Sequence, residues 1–110
     1  MEMTVRDAGA ITIVRFEGKL DGQSSPVAQT ALREILGAGA TRLLFDLTHL
    51  SFISSAGLRV LMMTAKELRR RQGAVRACSA NAVVKEAFDI SGVAAIITLM
   101  STEVEALDGF

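Results

Sequence analysis

Two adjacent hydroxyls, Ser54 and Ser55, open a segment that reads as an amphipathic helix, Ser-Ser-Ala-Gly-Leu-Arg-Val-Leu-Met over residues 54–62. A helix start presents unpaired backbone N–H groups and the positive end of the helix dipole, so it receives anions readily. A serine at that place can serve as a plain N-cap, the commoner use, or can carry a covalent phosphate that the helix end tolerates. Physical chemistry alone leaves both uses open.

The other reactive residue types do not assemble into a known chemistry. His49 is the one histidine and Cys78 the one cysteine, which is too few for a zinc site without carboxylates at motif spacing. A serine hydrolase would need Ser55 in a Gly-x-Ser-x-Gly turn, and Ile53 stands where the first glycine is required. Gly37-Ala-Gly39 follows a helical pattern and precedes a strand, the reverse of a dinucleotide loop, and reads as a helix C-cap. Gly18-Lys19 lacks the rest of a phosphate loop. The expectation is a protein with no catalytic residues, no cofactor and no metal. Arg69-Arg70-Arg71 reads as a solvated run that complements a helix C-terminus, and His49 as a loop residue.

The elements that must position Ser54 and Ser55 follow from periodicity. Ile11 to Leu20 is rich in β-branched residues and reads as a strand, with a shorter strand near Met3–Arg6 joined to it through an Asp7-Ala8-Gly9 turn. Ser24-Ser25-Pro26 supplies a hydroxyl cap and an early proline for a helix that Gly37 and Gly39 end. Arg42–Leu47 is an apolar run suited to burial on both faces of a sheet. The helix from Ser54–Ser55 buries Leu58, Leu61, Met62, Ala65 and Leu68, turns Arg59, Lys66 and Arg70 outward, and stops at Gln72-Gly73; Met63 falls outside its apolar stripe. A strand over Ala74–Ser79, a helix through Val83–Phe88 ended by Ser91-Gly92, a strand over Ala95–Leu99 and a helix over Thr102–Leu107 complete the chain. The order is ββαβαβαβα, an α/β domain with a mixed, mostly parallel sheet packed with helices.

With 110 residues the chain is expected to form one domain, 1–110. Twelve basic residues balance twelve acidic ones, which gives no electrostatic case for nucleic acid or an anionic membrane. No apolar run approaches the ~20 residues of a membrane span, the first residues lack a signal-peptide core, and a single cysteine forms no internal disulfide. A cytoplasmic protein is expected.

Asp46-Leu-Thr-His-Leu-Ser-Phe-Ile-Ser-Ser-Ala-Gly-Leu-Arg-Val-Leu61 resembles the signature of the STAS-domain anti-sigma factor antagonists, also called anti-anti-sigma factors. Gly18-Lys-Leu-Asp21 is similar to the family's loop before its first helix, and the order Val83, Phe88, Ser91-Gly92, Glu103–Leu107 is similar to its C-terminal half. The resemblance implies that Ser55, followed by Ala56 and Gly57, is the phosphorylation site. It further implies an anti-sigma factor with serine kinase activity as partner and a serine phosphatase that resets the switch. The contact surface it implies is the Ser54–Leu58 helix start with Asp21, Gly22 and Ser24, extended by Arg59 and Met63. Many members carry Asp where this chain has Ser54 and a second hydroxyl where it has Ala56, so Asp21 becomes the acidic candidate for positioning Ser55, with Asp46 the weaker one. A monomer or weak homodimer is expected. The alternative is a non-catalytic STAS scaffold subunit of a stress-signalling or membrane-transport complex.

Overall fold

A computed structural model describes residues 1–110. Its elements run β1 (Glu2–Ala8), β2 (Ile11–Leu20), α1 (Ser25–Gly37), β3 (Arg42–Ile53), α2 (Ser55–Arg70), β4 (Ala74–Cys78), α3 (Ala82–Ser91), a 3-10 turn (Val93–Ala95), β5 (Thr98–Met100) and α4 (Glu103–Leu107). The five strands form one sheet in sequence order, β1 antiparallel to β2 and the rest parallel. The expected α/β class and element order stand.

Strand alternation divides the core between the two faces of the sheet. Val14, Phe16, Leu43, Phe45 and Ala77 point to the face covered by α1, α2 and α3, where 20 buried residues form one cluster. Ile13, Leu44 and Cys78 point to the other face, where Ala106 of α4 closes a cluster of four. Cys78 is fully buried there, and burial pushes its thiol above the ordinary range. Native protein is expected to resist a thiol reagent such as Ellman's and to react only as it unfolds in urea; rapid native labelling would contradict this packing.

Several boundaries differ from the expectations, each for a local reason. Asp7 and Ala8 belong to β1, and the turn is Gly9-Ala10, because Gly9 adopts φ +63° at its first central position. Strand β3 continues six residues beyond Leu47. Its pairing with β2 shifts register twice, at Arg15/Glu17 and at Gly18/Lys19. Each shift adds a residue to β3, so Leu47, Leu50 and Ile53 reach the core at a spacing of three. His49 is consequently a strand residue, exposed and opposite Glu17, and not a loop residue. Strand β4 ends at Cys78, since Ser79 takes φ +65°. The strand expected over Ala95–Leu99 begins only at Thr98, because Val93–Ala95 wind into the 3-10 turn after the left-handed Gly92. The arginine run is not uniformly solvated. Arg70 forks onto Glu67, and Arg71 Nη1 donates to Leu36 O at 2.9 Å, tying the end of α2 to the end of α1.

Candidate functional site

The structure separates the two serines that the sequence sets side by side. Ser54 is extended, with φ −92° and ψ 174°, and its Oγ accepts the Gly57 N–H at 3.3 Å, so it is the N-cap of α2. Its own N–H donates to Leu20 O at 2.9 Å, fastening the start of α2 to the end of β2. Ser55 is the first helical residue, exposed, with its hydroxyl outside the cap. The cap and the free hydroxyl are therefore different residues. Replacing Ser54 by Ala is expected to cost about 1 kcal/mol in urea denaturation, and Ser55 by Ala less than about 0.5 kcal/mol.

Below the serines the helix start rests directly on β2. Gly57 is buried, and a Cβ on it would lie 2.6 Å from Leu20 O and 2.9 Å from Ile53 Cγ1. Gly57 is thus a packing residue and offers no contact to a partner, which corrects its place in the expected surface. Ala56 and Leu58 are half-buried, whereas Arg59 and Met63 are exposed. Ser55, Arg59 and Met63 follow one another at i, i+4 and i+8, along one face of α2.

The neighbouring loop is organised by Asp21, in a different manner from that expected. Asp21 Oδ1 accepts the Gln23 and Ser24 N–H groups at 3.0 and 3.1 Å. The Ser24 N–H chiefly holds the carboxyl below the usual carboxylate range. A carboxyl lowered in this way favours the folded loop above its unfolded value, and that preference is lost as pH falls through its folded value. The Ser24 hydroxyl turns back to accept the Asp21 N–H at 2.9 Å and donates to Lys19 O at 2.8 Å, so it gives α1 no side-chain cap. Ser25 Oγ donates to Asp21 O instead. The carboxylate of Asp21 is spent on its own loop and does not position Ser55. Asp46 does not either: it accepts the Thr48 N–H and hydroxyl, and it pairs with Cys78 on the α4 face of the sheet.

Two contributors were not legible as site residues. Leu20 acts through its carbonyl, which receives Ser54 and bounds Gly57. Arg71 helps line a groove of about 420 Å³ between α1 and α2, floored by Leu36 and Val60 with Met63 at its side. Both depend on contacts between elements far apart in sequence.

A strand, a tight junction, a capped helix with a free first-turn hydroxyl and three further βα-type repeats describe the molecule, and the sequence model of the STAS domain matches residues 2–106. The chain belongs to the STAS domain family. BtrV of Bordetella bronchiseptica is 31 % identical over 110 residues, spanning 100 % of this chain and 95 % of that protein. The anti-sigma F factor antagonist of Paenibacillus polymyxa is 30 % identical over 98 residues, 88 % of this chain and 84 % of that one. Among solved structures, the anti-sigma factor antagonist SpoIIAA in its unphosphorylated form shares this STAS fold with a TM-score of 0.83, at 22 % identity over 97 % of this chain and 94 % of that one. The Bacillus protein's phosphorylated form gives 0.76 at 21 % identity, over 97 % of each chain. No group of three or more His, Cys, Asp or Glu stands where it could hold a metal ion, and no helix is long and apolar enough to cross a membrane.

Proposed function

We propose that this STAS domain is an anti-sigma factor antagonist, which binds an anti-sigma factor with serine kinase activity and is released when Ser55 is phosphorylated. The observation that carries the reading is the division between Ser54 and Ser55: one serine holds the helix, the other presents a free hydroxyl at its positive end. Relatives matched over most of their length are named for antagonism of anti-sigma factors, and a protein of the same fold has been solved with and without phosphate. The contact surface consists of Ser55 and the exposed parts of Ser54, Ala56 and Leu58, with Arg59, Met63 and the loop Asp21, Gly22 and Ser24. A serine phosphatase returns the protein to its binding form. The domain acts by binding, without catalysis of its own and without nucleic acid, in the cytoplasm.

The test is phosphate mapping by mass spectrometry on protein recovered from its native host, resting and stressed. Phosphate on Ser55 whose occupancy changes with condition supports the switch. A Ser55 unmodified in every condition would overturn it in favour of a scaffold subunit, a role consistent with the occurrence of this fold in the Slc26a9 anion transporter.

A further inference from the structure

The two edges of the sheet are unlike. Strand β5 is three residues long, too short to template another strand, whereas β1 offers seven residues. Its pairing with β2 runs without a register shift from Glu2 to Ala8, and it contains no proline. Bulges, prolines and charged side chains are the usual guards of such an edge; β1 has only the last, Glu2, Arg6 and Asp7. Val5 stands 48 % exposed in the middle of it.

Independently of the switch proposed above, we infer that β1 pairs with β1 of a second copy of this chain, antiparallel about a two-fold axis through Thr4, joining two sheets into one of ten strands. The occupant is identified by complementarity. In this register Glu2 faces Arg6 of the second copy, twice by symmetry, and Met3 faces Val5. Moving the axis to Val5 sets Glu2 against Ala8 and Arg6 against Thr4, and both ion pairs vanish. Moving it to Met3 sets Glu2 against Thr4.

The backbone parity agrees. The two-residue turn Gly9-Ala10 closes on the pair Ala8 and Ile11, so Glu2, Thr4 and Arg6 direct their N–H and C=O groups toward β2. Met3, Val5 and Asp7 direct theirs outward. The Thr4-centred register sets Met3 opposite Val5, outward group against outward group. It leaves Glu2 and Arg6 in the non-hydrogen-bonded pairs, where facing side chains approach more closely. Arg6 bonds Glu103 of α4 within its own chain, so in the pair its guanidinium exchanges that exposed carboxylate for Glu2 of the second copy. Met3 packs against the main core, so the Met3–Val5 contacts extend that core across the junction.

Sedimentation velocity on the purified chain over a range of concentrations at low salt tests the pairing. The expected result is a monomer–dimer equilibrium that weakens as salt is raised. Glu2→Arg sets like charges opposite each other at two symmetric places and is expected to weaken the dimer about tenfold. The double change Glu2→Arg with Arg6→Glu restores opposite charges and is expected to return dimerisation to within about threefold of the starting chain. A thermal melt of each variant shows that the protomer stays folded. A chain that is monomeric at every concentration overturns the inference, and so does a double variant that dimerises no better than Glu2→Arg.

Discussion

Phosphate on Ser55 is expected to weaken binding to the anti-sigma factor about hundredfold, while Ser55→Ala binds as tightly as the unmodified chain. A phosphoserine adds about −1.5 to −2 charges at a point the partner must cover, and a desolvation or repulsion penalty of ~3 kcal/mol corresponds to that factor. Ser55→Asp brings a single charge on a shorter group and is expected to fall between the two, at about tenfold. Titration calorimetry with the anti-sigma factor proposed as partner reads all three. Equal affinity for the Ala and Asp variants would sink the switch. The fold itself is expected to be indifferent, with unchanged far-UV circular dichroism. The added anion sits at the positive end of α2, the cap bond belongs to Ser54, and Arg59 lies one turn further along the same face. Ser54 is neutral, so no carboxylate next to Ser55 in the chain opposes the phosphate.

What could be read from the chain beforehand was whatever a local pattern encodes. The order of elements, the helix from Ser55 and the stop at Gly92 follow from periodicity and turn residues within a few positions of each other. The second half of β3 was illegible for a definite reason. Two added residues turn the alternation of a strand into a spacing of three at Leu47, Leu50 and Ile53, which resembles neither a strand nor a helix. The same cause moved His49 from an imagined loop into the sheet. Around the site, residue types announced Ser54 and Ser55 but not the division of labour between them, which is a matter of which hydroxyl reaches the Gly57 N–H. The resemblance makes Asp21 the acidic candidate for positioning Ser55, and its short side chain instead closes a turn on residues two and three positions away. Local hydrogen bonding took precedence over the longer reach.

Gly57→Ala is expected to destabilise the protein by about 1–3 kcal/mol, opposite in sign to what a glycine inside a helix ordinarily predicts. Propensity alone favours alanine by about 1 kcal/mol. Against it, the new methyl would lie 2.6 Å from Leu20 O, 2.9 Å from Leu20 Cγ and 2.9 Å from Ile53 Cγ1. Overpacking of that kind costs about 1–3 kcal/mol or more, and the nearest of the three atoms is backbone, which cannot rotate aside. The helix start must then retreat from β2, and the Ser54 N–H bond to Leu20 O, which spans the same junction at 2.9 Å, stretches with it for about 1 kcal/mol more. For a domain of this size the sum lowers the melting temperature by about 5–20 °C. Gly37 supplies the matched control. It lies in the last turn of α1 with nothing within 4 Å of its Cβ position, so Gly37→Ala is expected to stabilise by about 0.4–1 kcal/mol. Thermal and urea denaturation of the two variants side by side decide the matter: a Gly57→Ala protein as stable as Gly37→Ala would mean that α2 does not rest on Leu20. The free hydroxyl of Ser55 depends on that contact, because the packing that excludes a side chain at position 57 is what holds the first turn of α2, and the serine on it, against the end of β2.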